Sequence, residues 1–120
     1  MANSIPYAAT GTGCTHLGRS FIRELLLGQN PQGYAALCRA IAASKASDYS
    51  AINAPFFLIA GEQDKSATME GCQYIFSHVR CSNKRMEVLA DVGHWHCIEA
   101  PERVGMLLED FVGKVYNGGC

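Results

Sequence analysis

The sequence has almost no charge of one sign to spare: ten lysines and arginines against eleven aspartates and glutamates leave a formal charge of −1. A balance this even gives no basic field to gather phosphate backbones or anionic lipid, so nucleic-acid binding is not expected. Long apolar runs are also lacking. The longest covers residues 54–60, far short of the ~20 residues that cross a bilayer, so no membrane span is expected. The first ten residues have neither a basic start nor an unbroken apolar core, and they do not read as a secretory signal. A cytoplasmic setting is the default expectation. No paired Cys-x-x-Cys occurs, although the six cysteines (Cys14, Cys38, Cys72, Cys81, Cys97 and Cys120) are an even number. Several sit where a helix or strand pattern wants a small apolar residue, and reduced thiols are expected rather than a disulfide framework.

What is present is the composition of one folded domain, with 120 residues of which 48% are hydrophobic and 18% charged. Residues 1–18, rich in Ala, Gly, Thr and Ser, read as a flexible lead-in without a packed element. The remainder, 19–120, reads as a single domain. Phe21, Ile22, Leu25 and Leu26 recur at helical spacing and Gly28 follows as a stop. Asn30-Pro31 is a cap followed by a first-turn proline, after which Tyr34, Leu37, Cys38 and Ile41 mark one face of a second helix. These helices fall within 19–46.

A strand-helix-strand-helix order is expected over 54–116. Phe56, Phe57, Leu58 and Ile59 form an apolar run bounded by Pro55 and Gly61, the pattern of a strand buried on both faces and thus of a parallel sheet. Met69, Cys72, Ile75, Phe76 and Val79 mark a crossover helix, and 86–90 a second strand. The cleanest apolar stripe, Val104, Leu107, Leu108, Phe111, Val112 and Val115, opens at Pro101 and ends at Asn117-Gly118-Gly119. Two parallel strands leave two open edges. The sheet is therefore expected to be completed by another chain or by an N-terminal half outside this sequence.

Chemistry is expected where the loops leave the strands, because ligands gather outside the carboxyl ends of parallel strands. Gly61-Glu62-Gln63-Asp64 follows the first strand and Gly93-His94 the second. Strands ~4.8 Å apart bring such loops within reach, so Asp64 and His94 can pair as carboxylate and imidazole, the arrangement a general base needs. The alternative is that Asp64 caps the next helix near Ser66 and that His94 is a turn residue. Glu99 and Glu102 are explained by the helix dipole they precede. Trp95 walls a pocket or covers the sheet edge, and Lys84-Arg85 with Arg80 reads as a solvated turn. His94, His96, Cys97, Cys72 and Cys81 are chemically suited to zinc, but their spacing is wrong for it, and neither metal nor cofactor is expected.

The run 55–64, Pro-Phe-Phe-Leu-Ile-Ala-Gly-Glu-Gln-Asp, followed by 93–102, Gly-His-Trp-His-Cys-Ile-Glu-Ala-Pro-Glu, resembles the last third of an α/β-hydrolase. Within that superfamily residues 21–52, with Asn30-Pro31-Gln32-Gly33-Tyr34 and Asp48-Tyr49, resemble the cap-to-core passage of the 3-oxoadipate enol-lactonases. The resemblance covers 19–116 and implies a partial α/β-hydrolase fold with Asp64 as triad acid and His94 as triad base. It implies an ester or lactone as substrate and no cofactor. It departs from the pattern in one respect, for no Gly-x-Ser-x-Gly nucleophile turn occurs, and Cys14 in Gly11-Thr12-Gly13-Cys14-Thr15 lacks both the flanking glycines and a preceding strand. Two functions are expected from these features. One is a hydrolase-related chain that carries acid and base and pairs with a nucleophile-bearing chain. The other is a non-catalytic module that self-associates through its open sheet edge.

Overall fold

The computed structural model describes residues 2–118. Two strands, β1 (Phe56–Gly61) and β2 (Lys84–Leu89), pair in parallel with Phe56 opposite Lys84 and Gly61 opposite Leu89. The helix between them, α4 (Met69–His78), packs along β1, its first turn capped by Thr68, whose hydroxyl accepts from the Gly71 N–H. After β2 come the short α5 (His96–Glu99) and the long α6 (Pro101–Gly118). Leu89, Val92 and Val104 form the buried core, with Ile59, Ala100 and Leu107 against it. Phe57 meets Phe111 of α6 at 5.0 Å between ring centroids. Parallel pairing demands a crossover, and the apolar face of α4 supplies it.

Ahead of the sheet lie α1 (Ile5–Ala8), α2 (His16–Leu27), α3 (Pro31–Ala43) and a single 3-10 turn, Tyr49–Ala51. Each longer helix begins on the cap its sequence provides: Thr15 accepts from Gly18, and Asn30 accepts from Gly33. Gly28 closes α2 as expected.

Several expectations are corrected. Of the lead-in 1–18, the described residues form α1, a packed segment over 9–15 and the start of α2; Pro6, Cys14 and Gly18 are buried. A stretch without apolar periodicity carries no sequence mark of packing, but it is held by its backbone. The first strand is half-buried from Phe56 to Ile59 and buried only at Ala60 and Gly61, because among the described residues it has a neighbour on one edge alone. No residue of α3 is buried, so the face marked by Leu37 and Ile41 lies exposed. The basic turn is no turn: Lys84 and Arg85 open β2, two residues earlier than expected. There Lys84 Nζ donates to the terminal carbonyls of α4 at Phe76 (2.7 Å) and Val79 (2.6 Å). Cys120 lies outside the described residues. No helix among those described is long and apolar enough to cross a membrane.

Candidate active site

Asp64 and His94 meet at the carboxyl ends of the two strands, where Asp64 Oδ2 lies 2.9 Å from His94 Nδ1. The register explains the encounter. Gly61 and Leu89 are paired end residues, the Glu62 N–H donates to Leu89 O (3.0 Å) and the Gln63 N–H to Val92 O (2.9 Å), so the two loops leave the sheet tied together. Gly61 permits this contact, since a Cβ there would stand 2.3 Å from the Gly93 carbonyl oxygen.

Asp64 does not cap α4, which Thr68 caps; its two oxygens divide between the loop ahead of that helix and the imidazole. Oδ1 accepts from the backbone N–H groups of Ser66 (2.7 Å) and Ala67 (2.9 Å), an Asx turn in the loop ahead of α4, while Oδ2 faces the imidazole. The Asp64 side chain is 1% exposed and that of His94 is 45% exposed. Burial pushes the Asp64 carboxyl up, but the Ala67 N–H, the His94 ring, the Ser66 N–H and the charge of His94 outweigh it and hold it below the ordinary carboxylate range. With Nδ1 directed at a carboxylate, the ring carries its proton on Nδ1 and leaves Nε2 as the acceptor. Among the described residues Nε2 has no hydrogen-bond partner. Trp95 stands edge-on to the His94 ring at 6.4 Å and is half-buried.

Glu99 does more than precede a helix. Its carboxylate accepts from the backbone N–H groups of Gly93, Trp95 and Gly11, the last in the segment read as a lead-in. The sequence signal for this was only its spacing after the histidine, which the dipole explanation absorbed. Glu62 accepts from the Asp91 N–H (3.3 Å) and does not reach the histidine. Asp91 adopts a left-handed backbone, φ 62°, a conformation aspartate tolerates better than most residues. Cys14 is buried, and burial followed by the nearby Glu99 charge pushes its thiol up, which disfavours the thiolate. Among the described residues no three His, Cys, Asp or Glu side chains converge as a metal site.

Three solved structures share this arrangement of elements. A thermophilic esterase from Thermogutta terrifontis aligns with 95% of the chain at a TM-score of 0.85 and 23% identity. The enol-lactonase from Burkholderia xenovorans LB400 aligns with 93% at 0.79 and 22% identity. A serine hydrolase involved in carbazole degradation aligns with 93% at 0.76 and 17% identity. The fold is that of part of an α/β-hydrolase. The chain spans 43%, 44% and 46% of the lengths of the esterase, the enol-lactonase and the carbazole-pathway hydrolase, so it is a partial hydrolase fold. No family model matches the chain, and no match was found among curated proteins. At these identities the likeness carries the hydrolase fold alone.

Proposed function

We propose that this chain supplies the acid and base of a serine-type hydrolase acting on a carboxylic ester or enol lactone. The nucleophile and oxyanion donors would come from residues outside this sequence. The observation that carries the proposal is the 2.9 Å contact between buried Asp64 and half-exposed His94, with Nε2 free at the rim of a hydrolase fold. A hydroxyl brought to Nε2 donates its proton there as it attacks the acyl carbon, and Asp64 stabilises the imidazolium without itself becoming protonated. The same proton then passes to the leaving oxygen, and water repeats the sequence on the acyl-enzyme. No cofactor enters this chemistry.

The open edge of β1 supports a partner. Its outer backbone groups pair with no strand among the described residues, and an edge of this kind is completed by another strand. A nucleophile-bearing segment, from another polypeptide or from a longer chain of which this sequence is part, is the occupant this reading requires; a second copy of the chain is the alternative, making it a self-associating module. Light scattering of the purified chain separates the two, since a stable homo-oligomer favours self-pairing.

The direct test mixes the chain with the part of the Thermogutta terrifontis esterase that it does not cover, which carries that enzyme's remaining half. Turnover of p-nitrophenyl butyrate and of an aliphatic lactone is then measured. The chain alone is expected to give no turnover above buffer. The assembled pair is expected to turn over and to lose about 10⁶-fold in His94→Ala, the scale of removing a triad histidine. An active assembly indifferent to His94→Ala would sink the proposal.

A further inference from the structure

We propose that Glu99 is a positioning residue for His94, clasping with one carboxylate the main chain on both sides of the imidazole and the strap at 9–13 beside it. The proposal rests on His94 as the base. Glu99 Oε2 accepts from Gly93 N–H (2.9 Å) and Gly11 N–H (2.6 Å), and Oε1 accepts from Trp95 N–H (2.9 Å). The remaining N–H of the triplet, that of His94 itself, donates to Ala9 O at 2.8 Å. Every backbone donor from 93 to 95 is therefore held either by Glu99 or by the strap that Glu99 holds.

The strap reaches the acid loop as well. Thr12 N–H donates to Gln63 Oε1 (2.8 Å), Gly13 N–H to Asp91 O (3.0 Å), and Thr12 Oγ1 to Asp91 Oδ1 (3.0 Å). From the other side Arg19 donates to Gly11 O and to Thr10 Oγ1, both at 3.2 Å. Gly11 is fitted to the position, because a Cβ there would lie 2.2 Å from the Asp91 carbonyl oxygen. Among the described residues Glu99 is thus the one side chain bonded to both flanks of the base and to the strap that joins the two loops.

A helix-dipole role does not account for this. Glu99 ends the four-residue α5, and its oxygens bond N–H groups of Gly11, Gly93 and Trp95 rather than the first turn of α6. Both oxygens must accept, so glutamine is no substitute: its amide nitrogen would present a donor to a backbone donor. A carboxylate that accepts three N–H bonds is charge-assisted at each of them, which is why one residue can hold three segments.

The test is NMR of the full chain labelled with ¹⁵N and ¹³C. Couplings across the hydrogen bonds from the Gly11, Gly93 and Trp95 amide nitrogens to Glu99 Cδ are expected, together with a low-field His94 Nδ1–H signal. In Glu99→Gln the exchange of that ring proton is expected to quicken by ~10-fold or more, as loss of charge-assisted bonds around the loop implies. Glu102→Gln, one turn away, should leave it unchanged. Absent couplings in the native chain, an unaltered His94 signal in Glu99→Gln, or a Glu99→Gln chain that fails to fold would each overturn the positioning role, the last by making Glu99 a general scaffold residue. A native chain with the couplings but no His94 Nδ1–H signal locates the failure in the dyad itself, and the positioning role falls with it.

Discussion

Asp64→Asn is the sharpest perturbation of the dyad, because it keeps the size of the side chain and separates its two tasks. The amide oxygen can still accept from Ser66 and Ala67, while the amide nitrogen replaces Oδ2 opposite His94 Nδ1. Two donors cannot share that contact. The imidazole must move its proton to Nε2, where it becomes a donor and ceases to be a base. The stability cost is that of exchanging charge-assisted bonds for neutral ones, about 1–2 kcal/mol. Asp64→Ala removes all three bonds. Ser66 and Ala67 are exposed, so water reaches their freed N–H groups and the cost stays near the low end, about 2–3 kcal/mol. At about 4–8 °C per kcal/mol for a domain slightly smaller than this one, Asp64→Ala is expected to unfold at a lower temperature than Asp64→Asn. The tautomer is read from long-range ¹H–¹⁵N correlations of the imidazole, with Nδ1–H expected in the native chain and Nε2–H in Asp64→Asn. An unchanged tautomer in the variant would refute the argument that Asp64 orients the base.

Three further outcomes follow from the same contacts. The Asp64 carboxyl is held below the ordinary range, so the stability it contributes is fully present above about pH 4 and is lost as pH falls through its folded-state value. Urea unfolding from pH 7 to pH 2 should show native-minus-Asp64→Asn stability shrinking toward the acid end, whereas a constant difference would contradict the assigned shift. Gly61→Ala drives a Cβ into the backbone of Gly93 and Val92, and a loss of about 1–3 kcal/mol with disturbed His94 signals is expected in denaturation and NMR. Lys84→Met keeps the apolar stem but releases the carbonyls of Phe76 and Val79, so a loss of about 1–2 kcal/mol and faster amide exchange in the last turn of α4 are expected.

Local chemistry makes much of the chain legible in its sequence. Asn30 and Gly28 sit at helix ends as residue types that favour a cap and a stop, and the apolar run 56–59 and the stripe from Val104 mark a strand and a helix. Burial was less legible. Leu37 and Ile41 have the spacing of a core face and lie exposed, since periodicity shows which residues share a side but not whether anything covers it. The segment 9–13 is the opposite case, packed without an apolar pattern. It is packed through backbone N–H and C=O groups, which every residue carries and which leave no trace in composition. The clasp made by Glu99 is hidden from the sequence on the same account, since its partners are main-chain donors at 11, 93 and 95.

That difference bears on how the candidate site is built. Asp64 and His94 are placed by elements that the sequence does display, two paired strands whose end residues Gly61 and Leu89 face one another. Strand pairing fixes where the loops begin, but a loop can leave a strand in several directions. The direction is set by bonds invisible in the pattern: Gln63 to Val92, His94 to Ala9, and Glu99 to three amides. A base must hold its proton-accepting nitrogen within a few tenths of an ångström of a productive position, and a bare turn between strand and helix does not achieve this. The scaffold therefore provides proximity, and the clasp and strap provide aim. If Asp64 and His94 are the proposed acid and base, a pair held in this way offers a hydroxyl delivered to Nε2 an acceptor that is already oriented.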